Sequence, residues 1–164
     1  MAVSIKTTRE LDLMRESGRR LEIVHNEMAK AIRPGISTWE INRIGEAKIR
    51  SLGGIPNFLH YNGFPAAICI SVNDEVVHGI PSKKRILREG DIVSLDAGMI
   101  YKGYHSDAAR THMVGQVSPE VRQLVEETRQ CFFEGIKYAR AGCHLHDISA
   151  AINAYADKFG YGVV

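Results

Sequence analysis

The sequence has 164 residues, the length of one domain, and its 45% hydrophobic and 24% charged residues are typical of a soluble globular protein. A formal net charge of +2 is too small to indicate a specific nucleic-acid partner. No apolar run approaches the roughly 18 residues of a membrane span, the N-terminus lacks a signal-peptide pattern, and three cysteines without a C-x-x-C pair indicate a reducing, cytoplasmic location.

Four amphipathic helices are predicted, each with start and stop signals. "TTRE" at 7–10 and "STWE" at 37–40 place a hydroxyl residue three positions before a glutamate, which predicts two capping boxes. "SPE" at 118–120 predicts a third start, with serine as the cap and proline at the first helical position. The fourth helix carries an apolar stripe over 148–159. The expected stops are Pro34-Gly35, Gly53-Gly54, Gly142 and Gly160.

Between the second and third helices the hydrophobic period becomes that of β-strands. "AAICISV" at 66–72 predicts a strand, "ND" a turn, and "EVVHGI" at 75–80 a return strand. "DIVSLDAGMI" at 91–100 and "GYHSDAARTHMVG" at 103–115 predict two more strands around "YKG", with Gly103 placed for a bulged hairpin. Helices segregated from an antiparallel sheet indicate an α+β fold, with the helices packed on one face.

The second and fourth helices match one another when the sequence is shifted by 107 residues. This match predicts an internal duplication, and the alternative is that any two amphipathic helices between glycine stops resemble each other. The coinciding pairs are Gly35 with Gly142, Ile41 with Ile148, Ala47 with Ala154 and Gly53 with Gly160.

Two aspartates belong to the predicted hairpin. Asp96 follows an apolar run and Asp107 lies on the returning strand. A turn centred between Tyr101 and Lys102 would oppose them directly, with Cβ atoms about 4.5–5.5 Å apart, whereas a bulge at Gly103 would make them diagonal neighbours. In both cases two carboxylates meet on the sheet surface, where they repel unless one is protonated or a cation binds. The pair indicates a two-metal site, and the alternative is that both are exposed surface residues.

The histidines add further candidates. His78 ends the second predicted strand in a Gly-Ile-Pro turn, and His105 shares a strand face with Asp107, which makes it a candidate metal neighbour. His144 and His146 begin a helix and are expected to face solvent. The sequence contains neither a glycine-rich phosphate loop nor a Ser/His/Asp set.

Four segments resemble type I methionine aminopeptidases of the bacterial kind. They are "SIKTTREL" at 4–11, "RPGISTWEI" at 33–41, "YNGFPAAICISVNDEVVHGIP" at 61–81 and "GDIVSLDAGMIYKGYHSDAARTHMVG" at 90–115. The resemblance implies the pita-bread fold, a duplicated α+β unit with a dimetal site between its halves. Residues 1–164 would then form a single domain, with the first repeat at about 1–117 and the truncated start of the second at about 118–164.

The same resemblance implies a site and a reaction. Asp96 would be a bidentate ligand of one metal ion, Asp107 would bridge both ions, and His78 would be the catalytic histidine near the scissile amide. The cofactors would be two divalent ions of the Co, Mn, Fe, Zn or Ni class. The enzyme would remove the initiator methionine from nascent peptides, so the implied partners are N-terminal methionine and the ribosome. The methionine pocket, whose rings and sulfur suit a thioether, would be lined by Phe58, Tyr61, Phe64, Cys69 and His78.

The resemblance also predicts an incomplete site. The family has five protein ligands, and its Gly-His-Gly-Ile-Gly segment and two later glutamates have no match in this sequence. We therefore expect the chain alone to bind one ion weakly or none, and to be inactive or weakly active. The alternatives are a self-associating half-pita homodimer with a symmetric aspartate site, a pairing with a complementing C-terminal fragment, and a non-catalytic pita-bread binding module.

Overall fold

The computed structural model describes residues 4–164, and residues 1–3 lie outside the described part. The prediction that the N-terminus lacks a signal peptide concerns these three residues too, and that part of it lies outside the described residues. The described chain forms two compact units, one that ends at Val117 and one that comprises Ser118–Val164. None of the helices within residues 4–164 combines the length and the apolar character needed to cross a bilayer.

The first unit contains two helices and a four-stranded antiparallel sheet, and the second contains two helices. This combination confirms the predicted α+β class. The elements in chain order are α1 (Thr8–Ala31), α2 (Thr38–Ser51), β1 (Ile55–Pro56), a 3₁₀ turn (Tyr61–Gly63), β2 (Ile68–Val72), β3 (Ile92–Tyr101), β4 (Tyr104–Met113), α3 (Pro119–Ile136), α4 (Leu145–Ala156) and a second 3₁₀ turn (Asp157–Phe159).

The first two helices begin with the predicted capping boxes. A carboxylate oxygen of Glu10 accepts a hydrogen bond from the backbone N of Thr7 at 2.7 Å, and Thr7 Oγ1 accepts from the backbone N of Glu10 at 3.4 Å. Glu40 and Ser37 repeat this arrangement at 3.0 and 3.2 Å. Each box therefore satisfies backbone N–H groups that the first turn of a helix leaves free.

The second unit is a pair of packed helices. Helix α3 begins after the predicted Ser118 cap, but it ends at Ile136 and not near Gly142. The chain turns there instead, and the backbone N of Arg140 donates to the carbonyl of Tyr138 at 2.8 Å. Helix α4 packs against Gly135, where an added Cβ would lie only 2.8 Å from Ile152. The internal duplication stays a prediction.

Strand β3 is central: β4 pairs along one side of it, and β1 and β2 pair along the other. The β3–β4 connection is a two-residue turn in which Lys102 and Gly103 both have positive φ, 48° and 84°. The pairing is unbroken from Tyr101 opposite Tyr104 to the far strand ends. The predicted bulge at Gly103 is therefore wrong, because the turn uses left-handed backbone at both positions and needs no extra residue.

The predicted return strand at 75–80 is also wrong. His78 has a φ of 58°, in the left-handed region that an extended strand does not use. Apart from the turn bond from Glu75 N to Val72 O at 3.3 Å, the segment makes one backbone hydrogen bond to β2, from Ile70 N to Gly79 O at 2.9 Å. The neighbouring N–H groups along the same edge have other acceptors: Ile68 N donates to Asn42 Oδ1, and Val72 N donates to a carboxylate oxygen of Glu75.

The two faces of the sheet differ in character. Helices α1 and α2 pack on the inner face, as predicted, and the core is built from side chains of both helices and the sheet. The outer face carries polar side chains at alternate positions of β2, β3 and β4. The fully buried core includes Leu21, Val24, Met28, Ile41, Ile49, Ile68, Ile70, Val93, Leu95 and Met99.

Candidate metal and substrate site

Asp96 and Asp107 lie on the outer face of the β3–β4 hairpin. Asp96 is opposite Ala109 and Asp107 is opposite Gly98, so the two aspartates are diagonal neighbours. The directly opposed arrangement is excluded. The turn is centred between Lys102 and Gly103, one residue later than the predicted centre, so the partner of Asp96 lies two positions beyond Asp107. Diagonal Cβ atoms are about 7–8 Å apart or somewhat less, within reach of two converging carboxyl groups.

The environment of Asp96 disfavours its charged form. Burial, and then the negative charge of Asp107, raise the pKa of Asp96 to about 6, although His78 acts in the opposite direction. Its Oδ1 atom is buried and has no hydrogen-bond partner among residues 4–164. A buried carboxylate oxygen without a partner is costly, and a bound cation would remove both that cost and the repulsion.

Cys69 lies directly across from Asp96 in the β2–β3 pairing. Burial, and then the charges of the two aspartates, raise the pKa of the Cys69 thiol to about 11. The thiol therefore stays protonated at neutral pH and lines the site as a small, weakly polar group and not as a thiolate.

A cleft of about 550 Å³ opens beside the two carboxylates, within the first unit. It brings together all seven residues that the resemblance placed in the site. Carboxylates and aromatic rings line the same cleft, which is the combination of a largely apolar pocket with a few polar groups that small-ligand sites use. The residues of the predicted set are Phe58, Tyr61, Phe64, Cys69, His78, Asp96 and Asp107.

The segment that carries Phe58 makes a close backbone contact with β3. Asn57 N donates to the carbonyl of Gly98 at 2.9 Å. A Cβ at Gly98 would lie 2.8 Å from Asn57 Cβ and 2.9 Å from a ring carbon of Phe58, so only glycine lets this segment lie against β3. The following turn contains two non-glycine residues with positive φ, His60 at 68° and Asn62 at 48°. Such strained positions cluster at binding sites.

Other residues of the cleft were not predicted. Asn62, Gly63, Pro65 and Ile80 also line it, and they belong to the same two segments as the predicted residues. His105 shares the outer face with Asp107, as predicted, but it does not line the cleft.

The described residues supply only part of a metal-binding set. No three His, Cys, Asp or Glu side chains within residues 4–164 converge as a metal-binding group. Asp96 and Asp107 fit a divalent cation in donor chemistry, because carboxylate oxygens are ligands for hard and borderline cations. Two carboxylates are nevertheless fewer donors than such cations take.

The chain was compared with protein-family models, curated proteins and solved structures. A model described as metallopeptidase family M24 matches residues 12–164. The chain belongs to this family. The M24 chain is 46% identical over 162 residues to a methionine aminopeptidase of Clostridium acetobutylicum, and 46% identical over 159 residues to methionine aminopeptidase 1 of Bacillus subtilis. These alignments cover 99% and 97% of this chain and 65% and 64% of the relatives.

The solved structures agree with the sequence comparison. The M24 chain superimposes on the crystal structure of methionine aminopeptidase from Rickettsia prowazekii with a TM-score of 0.96 at 35% identity, covering 99% of this chain and 65% of the other. The predicted resemblance and the pita-bread fold are thereby confirmed. This M24 chain spans slightly less than two thirds of the length of the curated relatives that it matches.

Proposed function

We propose that these 164 residues form the N-terminal part of a divalent-metal methionine aminopeptidase, a peptidase that removes N-terminal methionine. The observation that carries the proposal is the convergence of Asp96, Asp107 and His78 with an aromatic wall in one cleft. The carboxylates offer a cation site, and the wall offers an apolar pocket next to it.

Each group has a distinct role in the proposal. Asp96 and Asp107 would hold divalent metal, which when bound supplies Lewis-acid polarisation of the scissile carbonyl and lowers the pKa of a bound water. His78 would hydrogen-bond to the peptide near the scissile amide. Phe58, with the other aromatic residues of the cleft and the protonated Cys69, would surround the methionine thioether, which makes favourable contacts with ring edges. The pocket thereby orients the first residue of the peptide relative to the carboxylates.

The chain alone should be a weak metal binder and a poor catalyst. Only Asp96 and Asp107 correspond to the five expected ligands, and affinity depends on the number of charged ligands. We propose that the other ligands come from outside these 164 residues, in a continuing or separate C-terminal segment. A ribosome-bound nascent chain is the proposed source of the substrate.

A calorimetric titration with Mn²⁺ tests the cation site. The unchanged chain should bind Mn²⁺ only weakly, and Asp107→Asn should weaken that binding further, by about tenfold or more. The matched control is Asp12→Asn, because Asp12 is an exposed carboxylate on α1 that pairs with Arg15 at 2.9 Å. Equal affinities for the two variants and the unchanged chain would refute the site.

A complementation assay tests the activity. The chain should release little methionine from a Met-Ala peptide by itself. Addition of the C-terminal third of the Clostridium acetobutylicum relative as a separate polypeptide should produce release that requires both Mn²⁺ and Asp107. Release that persists in Asp107→Asn would contradict the proposed role of the carboxylate pair.

A homodimer is a second candidate, and the exposure of Asp107 on the outer sheet face favours it. A two-fold axis over this face would bring the aspartate pairs of two copies together as a four-carboxylate site. Sedimentation with and without Mn²⁺ decides between the candidates, since a monomer under both conditions excludes the symmetric site.

A further inference from the structure

His78 reaches the cleft from a backbone conformation that residues with side chains rarely adopt. Its φ is 58°, and it follows an exposed stretch that crosses the outer edge of β2. A non-glycine residue in the left-handed region persists only where its surroundings hold it there. The contacts that hold His78 are therefore part of how the cleft is built.

Those contacts are made by the next residue, Gly79. Its carbonyl accepts from Ile70 N at 2.9 Å, and its N–H donates to Ser71 Oγ at 3.1 Å. The Ser71 side chain lies in a residue that is only 5% exposed, so water competes little for this bond. One backbone bond and one side-chain bond thus attach both peptide groups that flank the Gly79 Cα atom to β2.

The attachment is close enough to require glycine. A Cβ at Gly79 would lie 2.1 Å from the carbonyl oxygen of Ile70 and 2.9 Å from Ser71 Cα. The loop backbone therefore lies directly against the strand, and a side chain at this position would push the loop away from it.

The same strand is also paired with the strand that carries Asp96. Cys69 is paired with Asp96, and Ser71 is paired with Ser94, so both β2 side chains point to the outer face. A loop that is fixed to Ser71 is therefore fixed relative to Asp96 as well.

We propose that Ser71 is a positioning residue, whose hydroxyl binds Gly79 N–H and thereby holds His78 in the left-handed conformation that presents its imidazole to the cleft. The importance of this position for peptide binding rests on the proposed function, but the geometric role of Ser71 does not. The fold itself does not need the hydroxyl, because Ile70 N still binds the Gly79 carbonyl, and Ile68 and Val72 have acceptors of their own.

Nuclear magnetic resonance on the metal-free chain tests the role of Ser71. In Ser71→Ala, the nuclear Overhauser effects between the His78 ring protons and the cleft residues should be lost. The Gly79 amide should also exchange roughly fivefold faster or more, the factor for one lost hydrogen bond. Ser71→Thr retains the hydroxyl and should keep both signals.

The matched control is Ser94→Ala on the neighbouring strand. Ser94 Oγ pairs with Thr111 Oγ1 at 2.7 Å, and Gly79 N donates to Ser71. This variant should leave the His78 signals and the Gly79 exchange rate unchanged. Gly79→Ala disturbs the same contact from the loop side, and it should displace His78 although Ser71 is intact.

Several outcomes would overturn the proposal. Unchanged His78 signals in Ser71→Ala would do so, and so would a uniform increase of exchange across the sheet, which indicates a purely structural role. A Ser71→Ala chain that fails to fold would also do so, because the hydroxyl would then support the fold and not the loop.

The test of Ser71 can fail or succeed independently of the test of the proposed metal site. Ser71→Ala leaves Asp96 and Asp107 in place, so its Mn²⁺ affinity should stay within about twofold of the unchanged chain, whereas Asp107→Asn loses affinity. Equal Mn²⁺ affinities of Asp107→Asn and the unchanged chain would refute the metal site, and the metal-free spectra would still decide the role of Ser71.

Discussion

His25 of α1 donates from Nε2 to the carbonyl of Ala108 on β4 at 2.9 Å, next to Asp107 in the chain. The histidine is 1% exposed, and its Nδ1 has no partner among residues 4–164. Burial is the main cause that lowers the pKa of His25 to about 4, and the neighbouring Arg110 and His112 contribute in the same direction. The ring is therefore neutral in the folded chain at neutral pH.

This pairing predicts acid lability. The pKa of His25 is lower in the folded chain than the usual value of about 6.5, so its contribution to stability is complete above pH 6.5 and is lost as the pH falls towards 4. The loss should reach about 3 kcal/mol. Urea unfolding between pH 7.5 and 4.5 should give a flatter profile for His25→Leu than for the unchanged chain, and parallel profiles would contradict this account.

Asp96 should show the opposite dependence. Its pKa is raised to about 6, so the carboxyl destabilises the metal-free chain progressively as the pH rises from about 4 through 6. Asp96→Asn should therefore stabilise the metal-free chain at pH 7.5. The expected gain is about 1–2 kcal/mol, because solvent partly screens the charge of this half-buried carboxylate. Mn²⁺ should raise the melting temperature of the unchanged chain and not that of the variant. A variant less stable than the unchanged chain would contradict the prediction.

The close approach at Gly98 makes a further prediction. Gly98→Ala places a methyl group against Asn57 and Phe58, and it should cost about 1–3 kcal/mol and move the aromatic wall away from β3. The control is Gly18→Ala in α1, where nothing lies within 4 Å of the added Cβ, and which should stabilise by about 0.5–1 kcal/mol. Thermal unfolding measures both changes, and similar effects of the two would argue against the steric explanation.

Asn42 links α2 to the start of β2. Its Oδ1 accepts from the backbone N of Ala67 at 3.0 Å and of Ile68 at 3.1 Å, and the residue is 1% exposed. Asn42→Ala leaves two N–H groups without this acceptor and should cost about 2–4 kcal/mol. Asn42→Asp keeps an acceptor oxygen and should lose less at pH 7.5. Urea unfolding compares them, and an Ala variant as stable as the unchanged chain would show that water replaces the amide.

Local signals predicted the helices well because capping is a local interaction. The boxes at 7–10 and 37–40 depend on hydrogen bonds across three residues, and they form as expected. The carboxylate pair could also be located, since Asp96 and Asp107 belong to the two strands of one predicted hairpin. The register between β3 and β4 could not be predicted, because nothing in the sequence shows that Lys102, a non-glycine residue, takes a positive φ.

The features that could not be predicted from the sequence depend on long-range packing. Val76 and Val77 have the residue types of a strand, yet they are 63% and 65% exposed, because the left-handed backbone at His78 carries the segment across β2. The roles of the cleft residues came from the family resemblance, since no spacing pattern connects Phe58 to Asp107. His25 could have been found one position after Val24 in the apolar stripe of α1, but its contact with Ala108 depends on the tertiary fold.

The outer edge of β2 limits how this chain meets other chains. An edge strand with free N–H groups is a template on which a foreign strand can add, and this is a common route to aggregation. Here three different acceptors, Asn42, Gly79 and Glu75, take the outward N–H groups of β2 one after another. A strand from a neighbouring molecule would have to displace all three. The outer edge of β2 is thus protected against strand addition, and association through the outer face of the sheet remains compatible with this protection.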